Sequence, residues 1–208
     1  MSRYAEAEAA LARLPLFRPI IAAAGPCRLR PVPREPYEAL LRAVAHQQLH
    51  GRAAEAMLAR LIARCPDRPF PPPEAILSWP EDALRACGFS AAKAAAIREI
   101  AAAALAGRIP SRRAAARMSD AALIAELTRL RGVGRWTVEM LLIFTLGRPD
   151  VLPVDDFGVR EGYRLAAGLD RPPRPRELAA LGEAWAPYRS IAAWYLWRRL
   201  DMARQGAG

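Results

Sequence analysis

The sequence predicts an all-α fold, and three observations carry that reading. Apolar residues recur at the three-to-four-residue spacing of a helix face, with no convincing run of period-two alternation. Serines stand where helices should start and glycines where they should stop. Prolines gather at 31–36, 66–73 and 172–175, which marks those stretches as loops between helices.

Taken in order, the pattern places helices at 4–13, 36–46, 51–64, 81–86, 91–107, 119–130, 135–147, 157–168, 175–184 and 188–203. Ser90 and Ser119 are the expected N-caps of the fifth and sixth, because a serine hydroxyl accepts from an amide of the first turn. Gly88, Gly107 and Gly147 are the expected stops. No repeat or low-complexity tract appears beyond alanine-rich helices.

A chain of 208 residues suffices for one domain or two small lobes, and 53% apolar residues argue for a packed globule over disorder. No run approaches the roughly 18 apolar residues of a membrane span. The opening "MSRYAEAEAALARL" mixes Arg with Glu and has no apolar h-region, so no secretory signal is expected. Cys27, Cys65 and Cys87 are odd in number, widely spaced and form no CxxC pair, which fits a reduced cytosolic compartment. Thirty-one basic residues against 21 acidic leave +10, a balance that favours a polyanionic partner such as nucleic acid. Lys93 is the one lysine, however, and alanine is abundant. A GC-rich coding sequence would produce the same arginine excess, so charge alone does not decide.

The most informative stretch is "LRGVGRWTVEMLLIFTLGRPDVLPVDDFG", residues 130–158. Only Arg131, Gly132, Val133 and Gly134 separate two expected helices. So tight a joint needs positive φ or close backbone approach, which glycine permits. Val133 is expected to plug between the helices. The second helix then starts with amides pointing outward beside Gly134 and Arg135, a ready phosphate site. A plain αα-corner would share the GxG; the longer "LRGVGRWTVE" is more specific. Beyond that helix, Asp155 and Asp156 follow Pro153. One aspartate would suffice as a cap. Two acids near a polyanion call for a cation, and the oxocarbenium formed as a glycosidic bond breaks is one.

Hairpin "LRGVG", a helix, then "LPVDD" resembles the HhH-GPD superfamily of DNA glycosylases. "GFSAAKAAAIREIA" and "WAPYRSIAAWYLW" look most like its alkylated-base branch, the DNA-3-methyladenine glycosylase II type, in a short form without an N-terminal β-rich domain. The resemblance implies one domain, 1–208, of two helical lobes with DNA in the cleft. One lobe would span about 35–150 with hairpin 130–136, the other about 1–34 plus 151–208. It places the catalytic carboxylate on Asp155 and leaves Asp156 as the better cap. It puts Trp136, Met140 and Trp197 in the base pocket, with Trp185 and Trp194 packing the core. Gly132, Val133, Gly134, Arg135 and Thr137 would meet DNA. In "AHQQLHGRAA", Gln48 would fill the gap left by the flipped nucleotide and His50 would contact the opposite strand. His46 and His50 could pair on a metal, but no third ligand follows at suitable spacing.

Bifunctional relatives carry a lysine nucleophile where this chain has Trp136, and the iron–sulfur branch needs four closely spaced cysteines, none of which follows Cys87. The expectation is a monofunctional hydrolase with no catalytic metal or cofactor. A structural monovalent cation on the hairpin carbonyls is expected when DNA binds. Met140 and Asp156 stand where the bacterial relative has tyrosines, so the substrate range is open. The expected partner is damaged double-stranded DNA, the expected form a monomer without membrane contact, and the expected place the bacterial cytoplasm beside the nucleoid. A glycosylase of the same fold for oxidised or deaminated bases, or a non-catalytic helix-hairpin-helix module, are the rivals. The second has no use for the acid pair.

Overall fold

A computed structural model describes residues 3–49, 51–80 and 82–205. All regular structure among the described residues is helical, with no strand. In chain order the helices are α1 (Ala5–Ala12), α2 (Arg18–Ala24), α3 (Pro36–His46), α4 (Gly51–Ala63), α5 (Pro73–Ser78), α6 (Ala83–Ala86) and α7 (Ala91–Leu105). There follow α8 (Arg112–Ala115), α9 (Asp120–Leu127), α10 (Arg135–Leu141), α11 (Phe157–Ala167), α12 (Pro175–Gly182) and α13 (Arg189–Gln205). A wider π-helical turn, Leu142–Leu146, prolongs α10. All ten helices read from the pattern are present. Three short ones, α2, α5 and α8, were not anticipated.

Proline explains two of those three. Its ring fixes φ and its missing N–H is one a first helical turn does not need. The last proline of each cluster therefore opens a helix: Pro36 opens α3, Pro73 opens α5 and Pro175 opens α12, while α2 carries Pro19 in its first turn. The expected caps hold, since Ser90 Oγ accepts from Lys93 N and Ser119 Oγ from Ala122 N. Ser111 caps α8 in the same way, accepting from Ala114 N.

The chain divides into two compact units, one of residues 32–146 and one of residues 1–31 with 147–208. In the first, α3 packs on α7, α4 and α10, and α5 packs on α7. Leu40, Leu41, Val44, Leu58, Ile97 and Ile100 form its buried centre. At about 1.5–3 kcal/mol for each fully buried aliphatic side chain, this cluster is what holds the short helices in place.

In the second unit α11, α2 and α1 all pack on α13, α11 most extensively. Two glycines one helical turn apart allow the close α11–α13 approach. A Cβ at Gly162 would strike the Leu196 backbone, and one at Gly158 would come within 2.8 Å of Trp197 Cδ1. Phe17 meets Trp185 edge-on at 5.2 Å, and the Tyr195 hydroxyl donates to Gly25 O at 3.2 Å. Trp185 is buried as expected, whereas Trp194 is half-buried, its ring set edge-on to Tyr195.

Candidate DNA-facing hairpin and acid site

In the unit of residues 32–146, α9 and α10 meet at the hairpin. Gly132 has φ +81°, and a Cβ there would collide with that of Ala96 on α7. Positive φ and close packing thus both demand glycine at this position. Gly134 differs. Its φ is −86°, and a Cβ would find nothing within 4 Å. Its side is open, and it is the N-cap of α10, so the first-turn amides and the positive end of the helix dipole lie there. Val133 is 4% exposed and plugs the joint as expected. Arg135 is exposed and its Nε donates to Glu139 Oε1 at 2.8 Å. Trp136 and Met140 are half-buried.

Thr137 requires a correction. It is 1% exposed, its amide donates to Gly134 O, and its hydroxyl accepts from Gln47 Nε2 at 2.9 Å. The side chain faces the protein, so a direct DNA contact through it is set aside. The residue that occupies it, Gln47, also donates to Gly132 O at 3.0 Å. Gln47 thereby ties the turn after α3 to the hairpin, 85 and 90 residues along the chain. Nothing in its position beside Gln48 distinguished the two glutamines in the sequence.

Gln48 is exposed and has φ +55°, the one non-glycine with positive φ among the described residues. Left-handed backbone costs an ordinary side chain about 1–2 kcal/mol. Leu49 beside it is also exposed, so the turn presents a polar and an apolar side chain outward. His50 lies outside the described residues. His46 Nε2 is paired with Glu55 Oε1 at 3.1 Å. Among the described residues no group of three or more His, Cys, Asp or Glu gathers to hold a metal.

The unit of residues 1–31 and 147–208 carries the acids. Its loop 148–153 is stitched to the start of α13. Arg189 clamps Asp150 with both forks, at 2.7 and 2.8 Å, and this holds the Asp150 carboxyl below its usual range. The buried Ser190 hydroxyl donates to Arg148 O at 2.7 Å and accepts from Val151 N at 2.9 Å. The chain then turns at Pro153, whose carbonyl accepts from Asp156 N, and α11 begins.

The two aspartates are unlike. Asp155 is exposed. Asp156 is the N-cap expected of it: its Oδ1 accepts from Val159 N at 2.8 Å. The same oxygen accepts from the indole N–H of Trp197, also at 2.8 Å. Only glycine at 158 leaves room for that indole, since a Cβ would stand 3.1 Å from both Trp197 Nε1 and Asp156 Oδ1. Phe157, which sequence reasoning passed over, sets a 64% exposed ring beside the acids. Its signal was there: a large aromatic at the first position of a helix, where nothing in the core needs it.

The described residues place a helix-hairpin-helix in one unit and a helix-capping acid in the other, within an all-helical fold. Residues 41–187 match the family model described as HhH-GPD superfamily base excision DNA repair protein, and the chain belongs to that superfamily. It is 46% identical over 170 residues, 82% of this chain and 75% of the relative, to DNA-3-methyladenine glycosylase 1 of Schizosaccharomyces pombe. It is 39% identical over 184 residues, 88% and 86% of the two chains, to the alkylbase DNA glycosidase-like protein mag2 of the same yeast. Among solved structures, the S. pombe 3-methyladenine DNA glycosylase Mag1 in complex with abasic DNA matches with a TM-score of 0.88 at 43% identity, covering 93% of this chain and 95% of that one.

Proposed function

We propose that this protein is a monofunctional DNA glycosylase that releases alkylated purines such as 3-methyladenine and 7-methylguanine from double-stranded DNA. The observation that carries the reading is the carboxylate of Asp156, which caps α11 and is held by the Val159 amide and the Trp197 indole, in a chain so like a 3-methyladenine glycosylase bound to abasic DNA. In the reaction the C1′–N bond breaks, the base leaves with the bonding electrons, and water adds to C1′ while losing a proton. A base that already carries a positive charge leaves as a neutral molecule and needs no proton donor. The carboxylate's part is to stabilise the sugar cation, and such stabilisation is strongest from a charge fixed in advance.

That criterion bears on which aspartate acts. The resemblance assigns catalysis to Asp155. The geometry supports Asp156, the acid whose position two donors define, and we give the charge-stabilising role to it, with Asp155 as the competitor. Trp136 and Met140 in the one unit, and Trp197 with Phe157 in the other, are the residues proposed to meet the damaged base. An aromatic face contributes roughly 1–3 kcal/mol of stacking, more with a cationic base. Gly132, Val133 and Gly134 with Arg135 form the proposed backbone grip. A monovalent cation on backbone carbonyls of the hairpin is proposed for the DNA complex. Flipping the lesion costs a few kcal/mol, least at a weakened pair, and Gln48 and His50 are proposed to serve that step.

Methylated duplex DNA incubated with the protein and chromatographed for free base tests the reading. Release of 3-methyladenine and 7-methylguanine, leaving an intact strand with an alkali-labile site, is expected. Release of only 8-oxoguanine or uracil, or of no base, overturns it.

A further inference from the structure

Lys93 is the sole lysine of the chain, and it stands in the first turn of α7, capped there by Ser90. A helix start is an unfavourable place for a cation. Its side chain leaves that end and reaches α3, where Nζ donates to Ala45 O and to Gln47 O, each at 2.8 Å. Ala45 lies in the last turn of α3 and Gln47 is its C-cap, and carbonyls at a helix end lack an amide partner within the helix. The ammonium supplies the missing donors and meets the negative end of the α3 dipole. The ammonium is half-buried, and desolvation lowers its pKa.

The other face of the same turn is held by the Gln47 side chain, which donates to Gly132 O and Thr137 Oγ1. Between these two anchors the backbone at Gln48 takes its left-handed conformation and sets Gln48 and Leu49 outward. A residue in that conformation persists only where its surroundings over-determine it. Lys93 supplies three hydrogens in no fixed direction, suited to two converging carbonyls.

We propose that Lys93 and Gln47 are positioning residues that lock the 47–49 turn to the hairpin, so that the turn enters DNA as a preassembled wedge once the hairpin has gripped the strand. Neither residue touches the reacting atoms. The inference rests on the glycosylase reading for its substrate, and its role is confined to opening the duplex.

Two measurements separate the inference from that reading. In the first, 2-aminopurine beside a 7-methylguanine in duplex DNA reports unstacking as a rise in fluorescence, independently of bond cleavage. Wild type gives the rise. Lys93→Met and Gln47→Met bind undamaged duplex as wild type does, yet unstack about tenfold more slowly, because part of the flipping cost returns. Lys93→Arg restores most of the rate. In the second, single-turnover base release is compared for the lesion opposite cytosine and opposite an abasic site. Both methionine variants lose about tenfold on the first and little on the second, where no pair has to be broken. Equal losses on both substrates, or wild-type unstacking by the variants, overturn the proposal. A wild type that unstacks but releases no base upholds the wedge and fails the glycosylase reading; a wild type that does not unstack the duplex overturns the wedge.

Discussion

The hairpin and the acid site are built by opposite means. The hairpin, in residues 130–137, presents backbone: a glycine that must be glycine for packing, another whose side is open, and a buried valine and threonine that face inward. Its bracing comes from the Gln47 amide side chain, bonded to Gly132 O and Thr137 Oγ1, while a distant ammonium holds the turn that carries Gln47. The acid site presents side chains. Its loop is pinned by a forked ion pair and a buried serine, and its carboxylate by an indole. Backbone suits a partner that is the same at every step, as a phosphate chain is. Side-chain charge suits a partner that differs from its neighbours, as a damaged nucleotide does.

The sharpest way to break this contrast is at Asp156. Asn keeps the capping oxygen and the indole acceptor while removing the charge, and it is an equally good cap. Asp156→Asn is therefore expected to fold with wild-type stability and bind DNA, with base release down by about 10²–10³. Asp155→Asn should fall by far less. Single-turnover release by the two variants checks this, and the reverse ranking returns the role to Asp155.

A smaller effect is expected at the hairpin. Gly134→Asp sets a negative charge on the open side of the α10 start. Its affinity for damaged and undamaged duplex should weaken alike, and the slope of binding against salt should flatten, because the proposed contact is with phosphate. Titration by fluorescence anisotropy at several salt concentrations measures both. A folded variant that binds undamaged duplex as well as wild type would make the hairpin a corner and nothing more.

The smallest concerns the acid loop. Arg189 holds the Asp150 carboxyl below its unfolded value. A depressed carboxylate contributes stability above its unfolded pKa and loses it as pH falls through the folded one. Wild type should therefore lose thermal stability below about pH 4 more steeply than Asp150→Asn, whose stability is already lower at neutral pH. Melting curves from pH 7 to pH 3 test it, and parallel curves would say the clamp contributes nothing.

Helix existence was legible along almost the whole chain because the caps, stops and periodicity agreed. Helices α2, α5 and α8 escaped because four to seven residues carry too little periodicity, and because proline was read as a break where Pro73 is a beginning. At the site, motif spacing picked out the hairpin and the acid pair. It could not divide labour between neighbours. Asp156 differs from Asp155, and Gln47 from Gln48, through partners 41 and 85 residues away, Trp197 and Gly132. Thr137 misled for the converse reason: a helix-start position looks outward in sequence, yet here its hydroxyl is turned onto Gln47.

The solitary ε-amine of Lys93 also makes the molecule its own reporter. Formaldehyde and a mild hydride convert a lysine amine to a dimethylammonium, which has one hydrogen left and cannot serve two carbonyls. Methylation at this position therefore proceeds from whatever fraction of molecules has opened the turn. The labelling rate at residue 93, followed by peptide mass spectrometry with isotopic formaldehyde, becomes a clock for that opening. A bound duplex, by closing the turn, would slow it.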